Sequence, residues 1–321
     1  MLCTPEQRDL GHEVADVLGQ ASVGVFDGAR MHVPVDVAAA GTSEARHRGA
    51  DGCVAVGGGS AIGLGKAIAL ETGLPLLCIP TTYSGSEMTP VWGLTENGDK
   101  LTGRDLSVLP RAVIYDPDLT LGLPPEMSAS SGVNALAHAV EALYAPDVSP
   151  VIALMAEEAA RCLAAALPVV VAAPARVDAR VTALRGSWLA GACLGATTMS
   201  LHHKLCHVLG GSFGLPHAPT HAVVLPHVAA FNLPAAPHAA AALGRALGTD
   251  DPAAALAGLN ATLENPPSLR ALGLQREDLA VAADAVVARP YRNPRPVTRE
   301  AVLTILETAW HGAAAPPVDR A

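Results

Sequence analysis

The sequence predicts an α/β unit followed by an all-α unit, and three observations carry that prediction. In the first third of the chain, short apolar runs of strand length alternate with helical patterns, which implies a parallel sheet in a βαβ layout. From about residue 123 apolar residues recur at helical spacing and no β alternation returns. A chain of 321 residues is long enough for about two domains. The expected division is 1–122 for the α/β domain and 123–321 for the helical one.

The elements follow in order. Only Met1-Leu2-Cys3 precedes Thr4-Pro5, which is short of a strand of about 5 residues, so a further N-terminal segment or a second chain is expected to complete the sheet edge. Cys53-Val54-Ala55-Val56 reads as a buried strand running into Gly57-Gly58-Gly59-Ser60. A helix is expected over about 61–71, stopped by Gly73. Leu76-Leu77-Cys78-Ile79 is a second strand, ended by Pro80, and Ala112-Val113-Ile114-Tyr115 a third. Val133, Leu136, Val140 and Leu143 mark a helix over 128–144, and the Ala/Leu-rich runs 151–167 and 181–207 read as helical. The Pro/Ala stretches at 234–237 and 313–317 read as a loop and a frayed tail. No fixed-period repeat is present.

Composition narrows the function. Twenty-one Lys+Arg stand against 30 Asp+Glu, a net charge of −9, which argues against a nucleic-acid partner and against a basic membrane anchor. Half of the residues are hydrophobic and 16% charged, so a sizeable core forms and global disorder is excluded. The longest apolar run, 162–174, is interrupted by Pro168 and too short to span a bilayer. The N-terminus has no basic-then-apolar signal profile. Six scattered cysteines without a CxxC pair read as reduced thiols, so a cytoplasmic protein is expected.

Two loops and one set of histidines carry the chemistry. Gly57-Gly58-Gly59-Ser60 lies between a strand and a helix, where backbone amides and a helix N-terminus hold phosphate. A P-loop would need Gly at 60 and Ser or Thr at 67, where Ser60 and Ala67 stand, and a GxGxxG frame begun at Gly57 meets Ile62 instead of its last glycine. A plain glycine turn for close helix–sheet packing stays open beside the phosphate reading. Thr81-Thr82-Tyr83-Ser84-Gly85-Ser86-Glu87-Met88-Thr89, at the carboxyl end of the next strand, suits a ligand at the sheet's crevice or is a polar surface loop. Among twelve histidines, His203 and His207 share a helix face at i,i+4, as do Asn134 and His138; His202 adjoins them, and His217 follows the turn Gly214-Leu215-Pro216. Such a set converges on a metal ion or a polar ligand, or serves structure alone; Asn134 is a poorer ligand than a carboxylate. His221 and His227 read as structural.

Together these motifs resemble the iron-containing alcohol dehydrogenase family, in order along most of the chain: the strand–GGGS–helix at 57–60, Pro80-Thr81-Thr82, Lys100 ten residues before Pro110, Asn134-xxx-His138, and His203-xxx-His207 followed by His217. Within the family, GGGSAIGLGKAIAL, IPTTYSGSEMTP, LTGRDLSVLPRAVIYDP and LHHKLCHVLGGSFGLPHAPTHAVVLPH are closest to the maleylacetate reductase branch. The resemblance implies a Rossmann-like dinucleotide domain, a helical catalytic domain, a cleft site between them and a homodimer. It implies reduction of 2-maleylacetate, a dicarboxylate, to 3-oxoadipate with NADH or NADPH.

Carried over by position, Gly58, Gly59 and Ser60 hold the pyrophosphate, and Thr81, Thr82, Ser86 and Lys100 line the rest of the cofactor groove. Asn134, His138, His203 and His217 match metal-ligand positions for Fe or Zn, with Asn134 where metal-dependent members have Asp. His207 and His203 are the candidate catalytic residues, and Lys204 the partner of a substrate carboxylate or a solvated lysine. The family has several tens of residues before the position of Met1. Its ribose-reading acid falls near Thr4, so rejection of the 2′-phosphate is expected to be weak. The rival expectations are a metal-dependent alcohol or hydroxyacid dehydrogenase and a non-catalytic cofactor-binding paralogue.

Overall fold

Strand geometry gives way to helix geometry within the glycine run at 57–59, and the rest of the N-terminal unit is arranged around that junction. The computed structural model describes residues 1–96 and 99–312, and the chain divides into two units, Met1–Leu123 and Pro124–Ala321. The expected tail at 313–317 lies outside the described residues.

The first unit opens with α1 (Arg8–Leu18) and α2 (Val35–His47). There follow β1 (Cys53–Gly57), α3 (Gly59–Thr72), β2 (Leu76–Pro80), β3 (Val91–Glu96), β4 (Asp99–Arg104) and β5 (Ala112–Val113). Strands β1, β2 and β5 form a parallel sheet in the order β1-β2-β5, with register Cys53↔Leu76 through Gly57↔Pro80 and Leu77↔Ala112. The apolar strand residues Ala55, Leu76 and Cys78 meet Ile62, Leu64 and Ile68 of α3 in one buried core. Gly73 ends α3 at φ 74°, a left-handed conformation that glycine adopts at little cost.

Three features depart from the sequence expectation. Met1-Leu2-Cys3 is too short for a strand, yet it continues the sheet by two bridges. The Leu2 amide donates to Val54 O at 2.8 Å and Val56 N to Leu2 O at 2.9 Å, while on its other side Cys3 N donates to Phe26 O at 3.1 Å. The third strand pairs only at Ala112–Val113, although Ile114 N still donates to Cys78 O. An antiparallel hairpin, β3 with β4, was not expected at all. Its two strands meet at Trp92↔Gly103, where a Cβ on Gly103 would lie 2.4 Å from the indole, so the ring needs glycine beneath it.

The second unit is helical throughout its described elements: α4 (Pro125–Leu143), α5 (Pro150–Ala172), α6 (Val177–Ala196), α7 (Leu201–Phe213), α8 (His217–Asn232), α9 (Pro237–Leu247), α10 (Pro252–Thr262), α11 (Asp278–Val287) and α12 (Arg299–His311). Ser149 caps α5 by accepting from Ile152 N, and that helix runs on through Pro168. Leu201, Leu205 and Leu209 of α7 pack with Val224, Val228, Val286, Val302 and Leu306 in a second core. The stretch at 234–237 is a 3₁₀ turn, Leu233–Ala235, leading into α9 rather than a loop. No helix among the described residues is long and apolar enough to cross a membrane.

The run 181–207, expected as one helix, is two. Residues 197–200 leave helical geometry because side chains from elsewhere claim their polar groups. The Asp147 carboxylate accepts from Thr198 N at 2.9 Å and from its hydroxyl at 2.7 Å, and Glu141 accepts from Ser200 N at 3.2 Å.

Further along, His227 is buried in α8 and burial holds its imidazole down to about 4. Its usual value in an unfolded chain is about 6.5, so between those limits the unfolded chain binds more protons. His227 therefore contributes stability that is full above pH 6.5 and is lost as pH falls through 4, about 3 kcal/mol in all. Urea titrations from pH 7 to pH 4 should show a shallower acid loss for His227→Gln than for the parent.

Candidate active site

In the first unit the glycine run and the threonine loop are held against each other. Gly57, at φ 139°, turns the chain out of β1, and Thr81 N donates to its carbonyl at 3.2 Å. A Cβ at Gly58 would meet Thr82 Cγ2 at 3.0 Å, whereas one at Gly59 would meet nothing within 4 Å. No side chain caps α3 at Gly58, and the first intrahelical bond is Ile62 N to Gly58 O, so the first-turn amides beyond Gly58 form an open anion seat. Gly58, Gly59, Ser60, Thr81 and Thr82 are thus brought together. These residues fit a dinucleotide pyrophosphate: glycine keeps the approach clear and the helix end supplies amides.

Two residues outside the sequence reading hold this arrangement. Gln7 Nε2 donates to Thr81 Oγ1 at 2.7 Å. Lys66 does not act as a P-loop lysine. Its ammonium is buried and donates to Ser86 O at 2.6 Å, Thr89 Oγ1 at 2.8 Å and Val91 O at 2.8 Å. Burial lowers the Lys66 ammonium to about 8, against the opposing charges of Cys78 and Glu87. Ser86 is thereby anchored to α3. Lys100 lies on β4, but its side chain is outside the described residues.

In the second unit, α4, α7 and α8 gather six imidazoles. The ring centroids of His138 and His203 lie 5.0 Å apart, as do those of His203 and His221. His202 and His221 are at 4.8 Å with a 2.9 Å hydrogen bond between Nε2 and Nδ1. His217, the first residue of α8 rather than a loop residue, stands 4.5 Å from His221 and 6.4 Å from His207. His207 is 6.2 Å from His203 and exposed, while His202 and His221 are fully buried, so the rings run from solvent into the interior. Lys204, on the same helix, is half-buried.

Charge in the cluster is set by burial and by one carboxylate. Burial holds His138 and His221 well below the ordinary imidazole range and brings His202 to about 3, with the neighbouring histidines adding to each effect. Glu141 of α4 is fully buried, which raises its carboxyl, yet the hydrogen bond and charge of His203 and the His202 amide outweigh that and hold it at about 2. It accepts from His203 Nδ1 at 2.6 Å, and from the backbone N–H of Ser200, His202 and His203 at 3.2, 2.9 and 3.2 Å. Glu141 falls at i+3 from His138 and i+7 from Asn134, a helical spacing that marks it in the sequence once the face is drawn.

The family's metal positions fall among these residues. Asn134 Oδ1, His138 Nδ1 and His203 Nε2 are buried and without hydrogen-bond partners. Yet the donors are neutral throughout, an amide stands where a carboxylate would be wanted, and Glu141 is already committed to four N–H donors. Three imidazoles and an amide make a weaker seat for Fe or Zn than a set with a carboxylate. A different trio, His202, Cys206 and His221, brings ligand atoms within 4.8 Å of one another. There the imidazoles are already bonded to each other, and burial pushes the Cys206 thiol well above its usual range, away from the thiolate that a metal needs.

Comparison with known proteins agrees along the chain. Residues 2–117 match the model described as iron-containing alcohol dehydrogenase, and residues 128–310 the model for the C-terminal part of the Fe-containing alcohol dehydrogenase family. A maleylacetate reductase of Burkholderia cepacia is 56% identical over 97% of this chain and 89% of its own. One from Sphingobium indicum is 52% identical over 99% and 90%. The crystal structure of maleylacetate reductase from Agrobacterium tumefaciens superposes with a TM-score of 0.95 at 50% identity, over 98% of this chain and 89% of that one. With both of its units matched, the chain belongs to the iron-containing alcohol dehydrogenase family of oxidoreductases.

Proposed function

We propose that the chain reduces the carbon–carbon double bond of 2-maleylacetate, giving 3-oxoadipate, with NADH or NADPH as cofactor. The observation that carries the reading is the identity of 50% or more, over nearly the whole chain, to proteins named maleylacetate reductase. When bound, the reduced nicotinamide supplies the hydride. The hydride adds to the alkene carbon β to the keto group, the π electrons move to the keto oxygen as an enolate, and a proton returns to the α carbon.

The residues of this chain supply what the substrate lacks. A developing enolate needs a hydrogen-bond donor or positive charge, and the buried, unpartnered Nε2 of His203 is suited to it. His207, exposed one turn further on α7, takes protons from solvent and supplies the acid. Lys204 pairs with a substrate carboxylate. Gly58, Gly59, Ser60, Thr81, Thr82, Ser86 and Lys100 hold the cofactor. The six cysteines are all free and buried, in keeping with a reducing cytoplasm. The family resemblance supports a homodimer.

The test is an assay of the purified, metal-stripped protein with maleylacetate and NADH, followed by loss of NADH absorbance. Rapid oxidation is expected. Silence cured by zinc or iron would move the reading to a metal-dependent dehydrogenase, and silence throughout would overturn it. At the cofactor seat, Gly59→Ala has free space for its methyl group and favours helix, so stability should hold or rise by up to about 1 kcal/mol. Its KM for NADH should rise about 10-fold, because the methyl group lies where the pyrophosphate must approach; melting curves and steady-state kinetics check both halves.

A further inference from the structure

We infer that Glu141 is a positioning residue, fixing the tautomer and orientation of His203 so that Nε2 is the nitrogen presented to the reacting oxygen. The inference rests on the role proposed above for His203. A carboxylate offers about four lone-pair positions, and Glu141 accepts from four N–H groups, the amides of Ser200, His202 and His203 and the ring Nδ1–H of His203, with the Tyr144 hydroxyl a longer donor at 3.5 Å.

The three amides belong to the start of α7, so Glu141 closes the N-terminal end of the helix on which His203 stands. The fourth bond, at 2.6 Å, places the ring proton on Nδ1, since an ionised carboxylate can only accept. In the imidazolium Nε2 then carries the second N–H, the form that donates to a developing oxyanion, and it is this atom that is buried without a partner. Backbone and ring are therefore set by one anchor: a shift of α7 moves the ring, and a turn of the ring breaks the anchor.

A side chain that only stabilised the helix would need the amides and not the ring, and this difference gives the test. Glu141→Gln keeps the size but brings an NH₂ into a set of donors, so one N–H must lose its acceptor. With maleylacetate and NADH, E141Q is expected to lower kcat at least 10-fold while leaving the KM for NADH within twofold. His203→Asn should lower kcat as well, and the double variant should be no slower than H203N, because Glu141 acts through the ring. If the two losses multiply, or if E141Q keeps full kcat while H203N does not, the positioning role falls. If H203N alone keeps full kcat, the assignment of His203 falls, and with it any role exerted through that ring. Nitrogen-15 NMR of the parent protein, labelled in histidine, reads the tautomer without a variant. A protonated Nδ1 on His203 is expected, and a bare Nδ1 would overturn the inference even if E141Q failed to fold.

Discussion

Alanine at His207 is expected to lower kcat by about 10²-fold and to leave the KM for NADH nearly unchanged, the size of loss typical when a positioned proton donor is removed. His207 stands on α7 one turn after His203, with ring centroids 6.2 Å apart, at the exposed end of the imidazole series. Because that end is open, free imidazole added to His207→Ala should restore part of the rate, and it should do nothing for the parent protein. Unchanged turnover in the variant would remove His207 from acid catalysis and leave the proton to another donor.

The second large effect lies in the other unit. Lys66→Met retains the length of the side chain but takes the ammonium from Ser86 O, Thr89 Oγ1 and Val91 O, of which Ser86 O keeps the amide and hydroxyl of Thr89 and Thr89 Oγ1 keeps Val91 N. A buried group left unpaired costs about 1–3 kcal/mol, and with partners remaining at two of the three acceptors a loss of about 1–3 kcal/mol is expected. Chemical denaturation checks it, and steady-state kinetics should show a raised KM for NADH as Ser86 loses its anchor. The sign with pH is also fixed. Lys66 titrates at about 8 when folded and near 10.5 when unfolded, so between those values the unfolded chain holds more protons. Its contribution to stability thus rises from pH 8 to 10.5 in the parent protein, and the methionine variant should lack that rise.

Local signals made the strand–glycine–helix junction legible, because strand hydrophobicity, glycine and helical periodicity change over within a few residues at 53–61. The same holds for α4, whose apolar spacing shows its buried face. The break between α6 and α7 was not legible, since Thr197-Thr198-Met199-Ser200 contains neither Gly nor Pro. What ends the helix there is a pair of carboxylates, Asp147 and Glu141, about 50 to 60 residues away in the chain. The β3–β4 hairpin had a usable sign, the Asn97-Gly98 dipeptide, but the flanking runs are too polar to read as strands.

In the site, the Asn134/His138 and His203/His207 pairs showed in the spacing because each lies on one helix face. As residue types, Glu141 and Lys66 carry no sign of their buried roles, since charged residues are usually solvated. Only folding reveals that Glu141 sits among N–H donors and Lys66 among oxygen acceptors. His221 was set aside for the opposite reason, as a lone histidine on an apolar helix, until α7 brought His202 to within 2.9 Å of it.

The indole seated over Gly103 makes the first unit optically separable from the second. Of the three tryptophans, Trp92 alone belongs to Met1–Leu123, while Trp188 and Trp310 belong to Pro124–Ala321. A Trp188→Phe, Trp310→Phe protein would therefore emit from the hairpin only. Its fluorescence would follow the glycine-loop unit by itself through denaturant, while circular dichroism, dominated by the helices, followed the other. Two midpoints would show units that fold as separate cooperative bodies, and one would show that they fold as a single body.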